Sequence, residues 1–163
     1  MSAKKLTQLS LLTAIALIIF VIELRIPDIR IPGVKLGLAN IVTVYAMYNY
    51  SPKETFMILS VRILLGSVFG GNVSAIIYSM SGALLCFCGM LILRRIIDKK
   101  YIWLCSIIGA VLHNTGQILT AVIMMKTTAV FSYFPFLIVA GCIAGAFTGM
   151  CAQILISRIN LTK

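Results

Sequence analysis

The chain has 163 residues, of which 61% are hydrophobic and 11% are charged, and its mean hydropathy is +1.07. Soluble domains are about 45–50% apolar and about 25% charged, so this composition excludes a soluble globular domain and a disordered chain. A net charge of +10 would suggest nucleic acid as the partner of a soluble protein, but membrane proteins gather Lys and Arg at their cytoplasmic helix ends. We therefore expect a multi-pass protein of the inner (cytoplasmic) membrane, with the lipid bilayer and not nucleic acid as its partner.

Apolar segments with short connections fill the chain from end to end. A helix needs about 20 apolar residues to cross a bilayer, so the length allows six crossings and no separate soluble domain. The predicted spans are, in chain order, residues 6–24, 36–50, 51–69, 73–93, 101–125 and 134–156. The second span is short, which fits a tilted or partly re-entrant helix. The sequence thus predicts an all-α membrane protein with six transmembrane helices in one bundle, and residues 1–163 form a single integral membrane domain.

Local signals support several of these boundaries. The first apolar run follows Lys4 and Lys5 as in a signal peptide, but it continues to Ile22 without a polar cleavage region, so we interpret it as an uncleaved span. Ser51-Pro52-Lys53-Glu54 predicts a helix start, because Ser can cap, Pro fits the first turn and Glu completes a capping box. Gly70-Gly71-Asn72 predicts a tight turn, and residues 126–132 predict a short polar turn.

The distribution of basic residues predicts the orientation. With the N-terminus inside, the inner side carries nine Lys and Arg residues, the outer side carries four, and Arg62 lies within a span. This excess on the inner side favours an N-in, C-in arrangement. Three of the four outer residues lie in the loop from Arg25 to Lys35, which is either a solvated loop along the headgroups or a gate over an outward-facing pocket.

Several kinds of active site are absent from the sequence. The chain has no G-x-x-x-x-G-K-[ST] loop for ATP. Its two aspartates, Asp28 and Asp98, are isolated, whereas an enzyme that holds a diphosphate through magnesium needs clustered carboxylates. It has one histidine, and its five cysteines lack C-x-x-C spacing. We therefore expect no metal site, no cofactor and no independent enzymatic activity.

Arg62 is the residue that is most costly to place in a membrane. It lies about midway along span 3, where an arginine costs about 2.5–3.5 kcal/mol on insertion scales. It should therefore face the bundle interior or a wet cavity. It could anchor an anionic or carbonyl oxygen of a ligand, or it could be tied to helix carbonyls or to polar residues such as Asn114 or Gln117.

Other polar residues occur at helical spacing in spans 2, 4 and 5. They are His113, Asn114 and Gln117 in span 5, Asn40 and Thr43 in span 2, and Ser74, Tyr78 and Ser81 in span 4. Residues three or four apart share a helix face. Amides and imidazole in hydrocarbon usually hydrogen-bond between helices, so these groups are either interhelical ties or the lining of one polar pocket together with Arg62.

Small residues mark two further helix faces. Gly141, Gly145 and Gly149 form a G-x-x-x-G-x-x-x-G ridge on span 6, which is typical of close helix packing. Ser10 and Ala14 form a milder face on span 1, for which internal packing is the first interpretation and docking to another membrane subunit is the second.

Four stretches resemble one bacterial family, known as heptaprenyl diphosphate synthase component I or the Gx transporter family. They are Pro32-Gly-Val-Lys-Leu-Gly-Leu-Ala-Asn40, Arg62-Ile-Leu-Leu-Gly66, Ser81-Gly82 and Ser106-Ile-Ile-Gly-Ala-Val-Leu-His-Asn-Thr-Gly-Gln117. The resemblance covers roughly residues 6–156. The transporter name implies kinship with the substrate-binding S components of energy-coupling factor transporters, which work with a transmembrane coupling subunit and two ATPases. The synthase name implies a subunit that assists synthesis of the menaquinone side chain.

We therefore expect a membrane-embedded subunit that binds and translocates a small vitamin-like or anionic metabolite and depends on separate energising subunits. The candidate substrate-binding residues are Lys35, Asn40, Arg62, His113, Asn114 and Gln117. In this hypothesis Arg62 holds anionic or carbonyl oxygen, the amides supply directional hydrogen bonds, and His113 changes its donor pattern with pH. The alternative is a non-catalytic component I that docks a soluble prenyl synthase on the inner basic loop, residues 94–100.

Overall fold

The computed structural model of the chain describes residues 2–25, 37–71 and 74–161. The regular elements in these ranges are all helices, with no strand, so the predicted all-α class is confirmed. The α-helices are α1 (Ala3–Arg25), α2 (Asn40–Asn49), α3 (Pro52–Phe69), α4 (Ala75–Ile96), α5 (Ile102–Met125) and α6 (Phe134–Leu161). Short 3-10 helices at Lys99–Tyr101 and Thr128–Tyr133 precede α5 and α6, and the second of them replaces most of the polar turn predicted at residues 126–132.

Four helical segments are long and apolar enough to cross a membrane, which fits a multi-pass membrane protein. They are Ala3–Arg25, Ala75–Ile96, Lys99–Met125 and Thr128–Ile159. The predicted short second element is even shorter than expected, since α2 has 10 residues and a length of about 15 Å, half of a hydrocarbon core of about 30 Å. The six crossings and the N-in, C-in arrangement stay predictions.

The predicted start of α3 is confirmed in detail. The Ser51 main-chain N–H donates to Glu54 Oε2 at 3.0 Å, and the Glu54 main-chain N–H donates to Ser51 Oγ at 3.4 Å, which is a complete capping box. Lys5 Nζ lies 2.5 Å from Glu54 Oε1, so an ion pair ties the beginning of α1 to the same turn. Thr55 Oγ1 donates to the carbonyl of Ala46 at 3.1 Å and joins α3 to α2.

Glycines allow α4, α5 and α6 to pack backbone against backbone. A Cβ on Gly116 would lie 2.8 Å from Gly82 Cα on α4, and a Cβ on Gly149 would lie 2.6 Å from Trp103 Cα on α5. Such distances leave no room for a side chain, so the interpretation of the span 6 ridge as a packing surface is confirmed. These three helices form the most extensively packed part of the bundle, and α2 also packs against α6.

The small-residue face of α1 points away from the rest of the chain. Ser10 and Ala14 are both exposed, whereas α1 buries Leu9, Thr13 and Ala16. The first interpretation of that face, packing inside the chain, is therefore wrong. The face is free for lipid or for another protein.

Candidate functional site

A cavity of about 470 Å³, here called the main cavity, lies between α1, α3, α4, α5, α6 and the beginning of α2. It extends towards the end of the bundle where α1 and α3 terminate, because Glu23, Gly37, Gly70 and Ser74 all line it. Its volume falls within the range of about 300–1,000 Å³ that is usual for ligand pockets.

The structure brings five of the six predicted binding residues together around the main cavity. They are Asn40, Arg62, His113, Asn114 and Gln117. The sixth, Lys35, lies outside the described residues, as does most of the proposed gate loop, residues 26–36. Ser74 and Tyr78 of the span 4 stripe also line the main cavity. Ser81 does not, because its hydroxyl contacts the Gly116 carbonyl at 3.3 Å and accepts from Thr120 Oγ1 at 2.6 Å.

Arg62 lies in the middle of the bundle with 9% of its surface exposed. Its Nη1 donates to Oδ1 of Asn40 at 3.1 Å, so its partner is on α2, whereas the sequence had suggested Asn114 or Gln117 on α5. Among the described residues, no carboxylate lies within 4.0 Å of the guanidinium. A buried cation whose one described hydrogen-bond partner is neutral has strong remaining capacity to bind an anion or a carbonyl oxygen.

A smaller space adjoins the main cavity on the side of Met47 and Met90. This inner chamber has a volume of about 30 Å³. Five residues line both spaces, namely Asn40, Arg62, Ala110, His113 and Thr148. The two spaces are therefore neighbours, and Arg62 is one of the residues that lie between them.

The polar residues of α5 divide between two roles. Asn114 Nδ2 donates to the carbonyl of Leu137 at 2.7 Å, which ties α5 to the first turn of α6 as the interhelical interpretation expects. The Gln117 amide has no hydrogen-bond partner among the described residues and lines the main cavity. His113 lines both spaces, and its side chain also interacts with the backbone of Gly82. Gln117 and His113 are thus better placed for a ligand than Asn114, one of whose amide protons is already bonded.

Some cavity residues were not identified as candidates from the sequence. Glu23 lines the main cavity, and its Oε1 accepts a hydrogen bond from the Gly37 main-chain N–H, which joins the end of α1 to the beginning of α2. The sequence does contain a signal that could have identified Glu23, because it is a lone carboxylate at the end of the apolar run of span 1. Gly141 and Gly145 belong to the packing ridge and also line the main cavity, a second role that the spacing of small residues does not reveal.

The chemistry of the main cavity is that of a binding site rich in hydrogen-bond donors. A guanidinium, three amides and an imidazole line it, together with the single carboxylate of Glu23. In the described ranges, no cluster of three His, Cys, Asp or Glu side chains could hold a metal ion. The arrangement can hold a polar molecule with anionic or carbonyl oxygens.

The helices thus fit a multi-pass membrane protein with an internal polar cavity. The family model for heptaprenyl diphosphate synthase component I matches residues 12–155, and the chain belongs to that family. Comparisons with curated proteins and with solved structures gave no significant match.

Proposed function

We propose that the protein is a membrane-embedded subunit that binds and translocates a small vitamin-like or anionic metabolite, in the manner of the S components of energy-coupling factor transporters. The main cavity carries this proposal. It is large enough for a small metabolite, and polar groups from several helices converge on it. Six spans with both termini inside form part of the proposal.

Arg62 is the central anchor in this proposal. Burial of an arginine in a membrane protein is costly and usually marks a functional site with a nearby partner. Arg62 donates a hydrogen bond to the neutral Asn40 amide, and among the described residues no carboxylate lies within 4.0 Å of its guanidinium. An anionic group of the ligand would supply the negative charge, while Gln117 and His113 would bond the rest of the molecule.

Energy for transport would come from other proteins. The sequence has no phosphate-binding loop of the ATPase type, so a transmembrane coupling subunit and ATPases would be needed. The exposed face of α1 that contains Ser10 and Ala14 provides small residues for close contact with a membrane partner.

The ligand that co-purifies with the protein tests this proposal. The protein would be purified in mild detergent, and bound small molecules would be extracted and identified by mass spectrometry. Arg62→Met should lower affinity for that ligand at least about 30-fold, since removing one partner of a buried charge pair costs about 2–5 kcal/mol. Arg95→Met removes an exposed arginine outside both spaces and should leave affinity unchanged. Equal affinity of the folded Arg62→Met protein and the wild type would refute the anchor role.

The family name favours a second function, in which the protein is a non-catalytic membrane component of a heptaprenyl diphosphate synthase. A soluble prenyl synthase would then dock on the basic segment that begins in the last turn of α4, where Arg95, Lys99 and Lys100 are exposed. Affinity purification from the native membrane separates the two functions. Recovery of ATPases and a coupling protein supports transport, whereas recovery of a prenyl synthase, with higher prenyl transfer in the presence of this chain, supports the second function.

A further inference from the structure

The inner chamber contains a buried hydroxyl that is not among the six candidate binding residues predicted from the sequence. Thr43 lies on α2, one turn after Asn40, and only 7% of its surface is exposed. Its Oγ1 is buried and has no hydrogen-bond partner in the described part of the chain. Buried hydroxyls are nearly always hydrogen-bonded, so an unsatisfied one beside a cavity indicates a missing partner.

The other polar groups of the inner chamber are mainly donors. The Arg62 guanidinium uses one of its N–H groups on Asn40 and lies beside the chamber with the His113 imidazole. The Ser106 and Thr148 hydroxyls lie 3.2 Å apart and bond each other. Side chains such as Val44, Leu59 and Phe87 make up the remainder, and no carboxylate lines the space. A cation and the unpartnered Thr43 hydroxyl in mainly apolar surroundings favour an anion.

The size of the inner chamber limits which anion can enter. The chamber is small, at about 30 Å³ against about 470 Å³ for the main cavity, so it suits a compact head group and not the body of a metabolite. A carboxylate is flat and compact, whereas a phosphate ester or a diphosphate is bulkier and carries more charge to desolvate. Because the chamber and the main cavity share five lining residues, Arg62 among them, the proposal places one molecule across both spaces.

We propose that the inner chamber is a carboxylate subsite, in which Thr43 and Arg62 bind the single carboxylate of a ligand whose neutral body fills the main cavity. This proposal rests on the proposed function and specifies its substrate class as small monocarboxylates. Thr43 is then a specificity-determining residue. Its hydroxyl donates to one carboxylate oxygen, while Arg62 balances the charge.

Three probes with the same ring and different head groups test the subsite. Benzoate, benzamide and phenyl phosphate would be titrated up to about 20 mM against detergent-purified protein, and the shift in thermal stability at each concentration would give an apparent Kd. Benzoate should stabilise the protein, and both benzamide and phenyl phosphate should bind at least about tenfold more weakly. Equal stabilisation by benzamide or phenyl phosphate, or no stabilisation by benzoate, would overturn the proposal without use of any variant.

Matched variants assign the effect to the Thr43 hydroxyl. Thr43→Val should weaken benzoate about tenfold, whereas Thr43→Ser, which keeps the hydroxyl, should bind nearly as well as the wild type. Thr115→Val is the control, because the Thr115 hydroxyl bonds the carbonyl of Val111 at 2.8 Å and lines neither space. Loss of benzoate binding in both valine variants alike, or in neither, would count against the subsite.

The failure of this inference differs from the failure of the proposed function. If a ligand co-purifies and depends on Arg62 but has no carboxylate and ignores Thr43, the protein is a binding subunit and the carboxylate subsite is wrong. If no ligand co-purifies and the Arg62→Met protein responds to benzoate like the wild type, the proposed function itself is wrong.

Discussion

Gly145 couples the packing of α6 to the shape of the main cavity, and Gly145→Ala tests that coupling. A Cβ at this position would lie 2.7 Å from Ile107 Cα and 2.9 Å from the Ser106 carbonyl oxygen. Both atoms belong to the backbone of α5 and cannot rotate away. Since Gly145 also lines the main cavity, any separation of α5 and α6 should change the cavity wall.

The magnitude follows from the separation that the extra methyl group requires. Ile107 Cα would have to move by about 0.7 Å to reach ordinary van der Waals contact at 3.4 Å. Overpacking of this kind lowers the free energy of unfolding by about 1–3 kcal/mol. The higher helix propensity of alanine than of glycine raises it by at most about 1 kcal/mol. We expect a net loss of about 1–2 kcal/mol, which for a chain of this length corresponds to a fall in Tm of about 2–8 °C.

Far-UV circular dichroism of the detergent-purified protein would measure the thermal transition. Gly109→Ala is the matched control on α5, because its Cβ would meet Met90 Sδ at 2.9 Å and Met90 Cγ at 3.0 Å, atoms of a flexible side chain. Gly109→Ala should lower the free energy of unfolding clearly less than Gly145→Ala does. A Gly145→Ala protein as stable as the wild type would show that α5 and α6 can separate freely, and it would refute the close-packing argument.

Three further substitutions test single contacts by the same unfolding measurement. Ser51→Ala should cost about 1 kcal/mol because the capping box with Glu54 is lost, and unchanged stability would mean that the box contributes nothing. Asn114→Ala should cost about 0.5–2 kcal/mol through loss of the 2.7 Å bond to the Leu137 carbonyl, and a neutral result would contradict its role as an interhelical tie. Arg94→Met should cost about 1–2 kcal/mol, since its guanidinium donates to a main-chain carbonyl near the end of α2 at 2.7 Å, and equal stability would show that this carbonyl does not need the bond.

Local chemistry explains which boundaries could be read from the sequence. The start of α3 was predictable because Ser51 and Glu54 satisfy main-chain donors within four residues, without help from the rest of the fold. The length of α2 was less predictable. Residues 36–50 are apolar enough for a longer helix, but Gly37 adopts a left-handed conformation with φ of +66°, and the helix begins only at Asn40.

The candidate site was partly predictable for the same kind of reason. Arg62 and the amides of α5 are too polar to face lipid. Their burial in a shared interior was predictable from the free-energy cost of placing such groups in hydrocarbon. The partner of Arg62 did not follow, and the structure gives Asn40 where the sequence suggested α5. Ser81 shares a helical face with Tyr78 by spacing, yet it bonds α5 and does not line the main cavity.

The sequence alone determined the class of the protein, because the free energy of placing apolar and charged groups in water or lipid depends on composition and order along the chain. Helical spacing also determined which residues share a face. Only the tertiary structure decided how the helices are rotated and how closely they approach one another. Those choices leave the Thr43 hydroxyl without a hydrogen-bond partner in the described ranges, in the lining of the same chamber as Arg62, and they place glycines of the packing ridge in the wall of the main cavity. They depend on contacts between distant segments, which spacing within one helix does not specify.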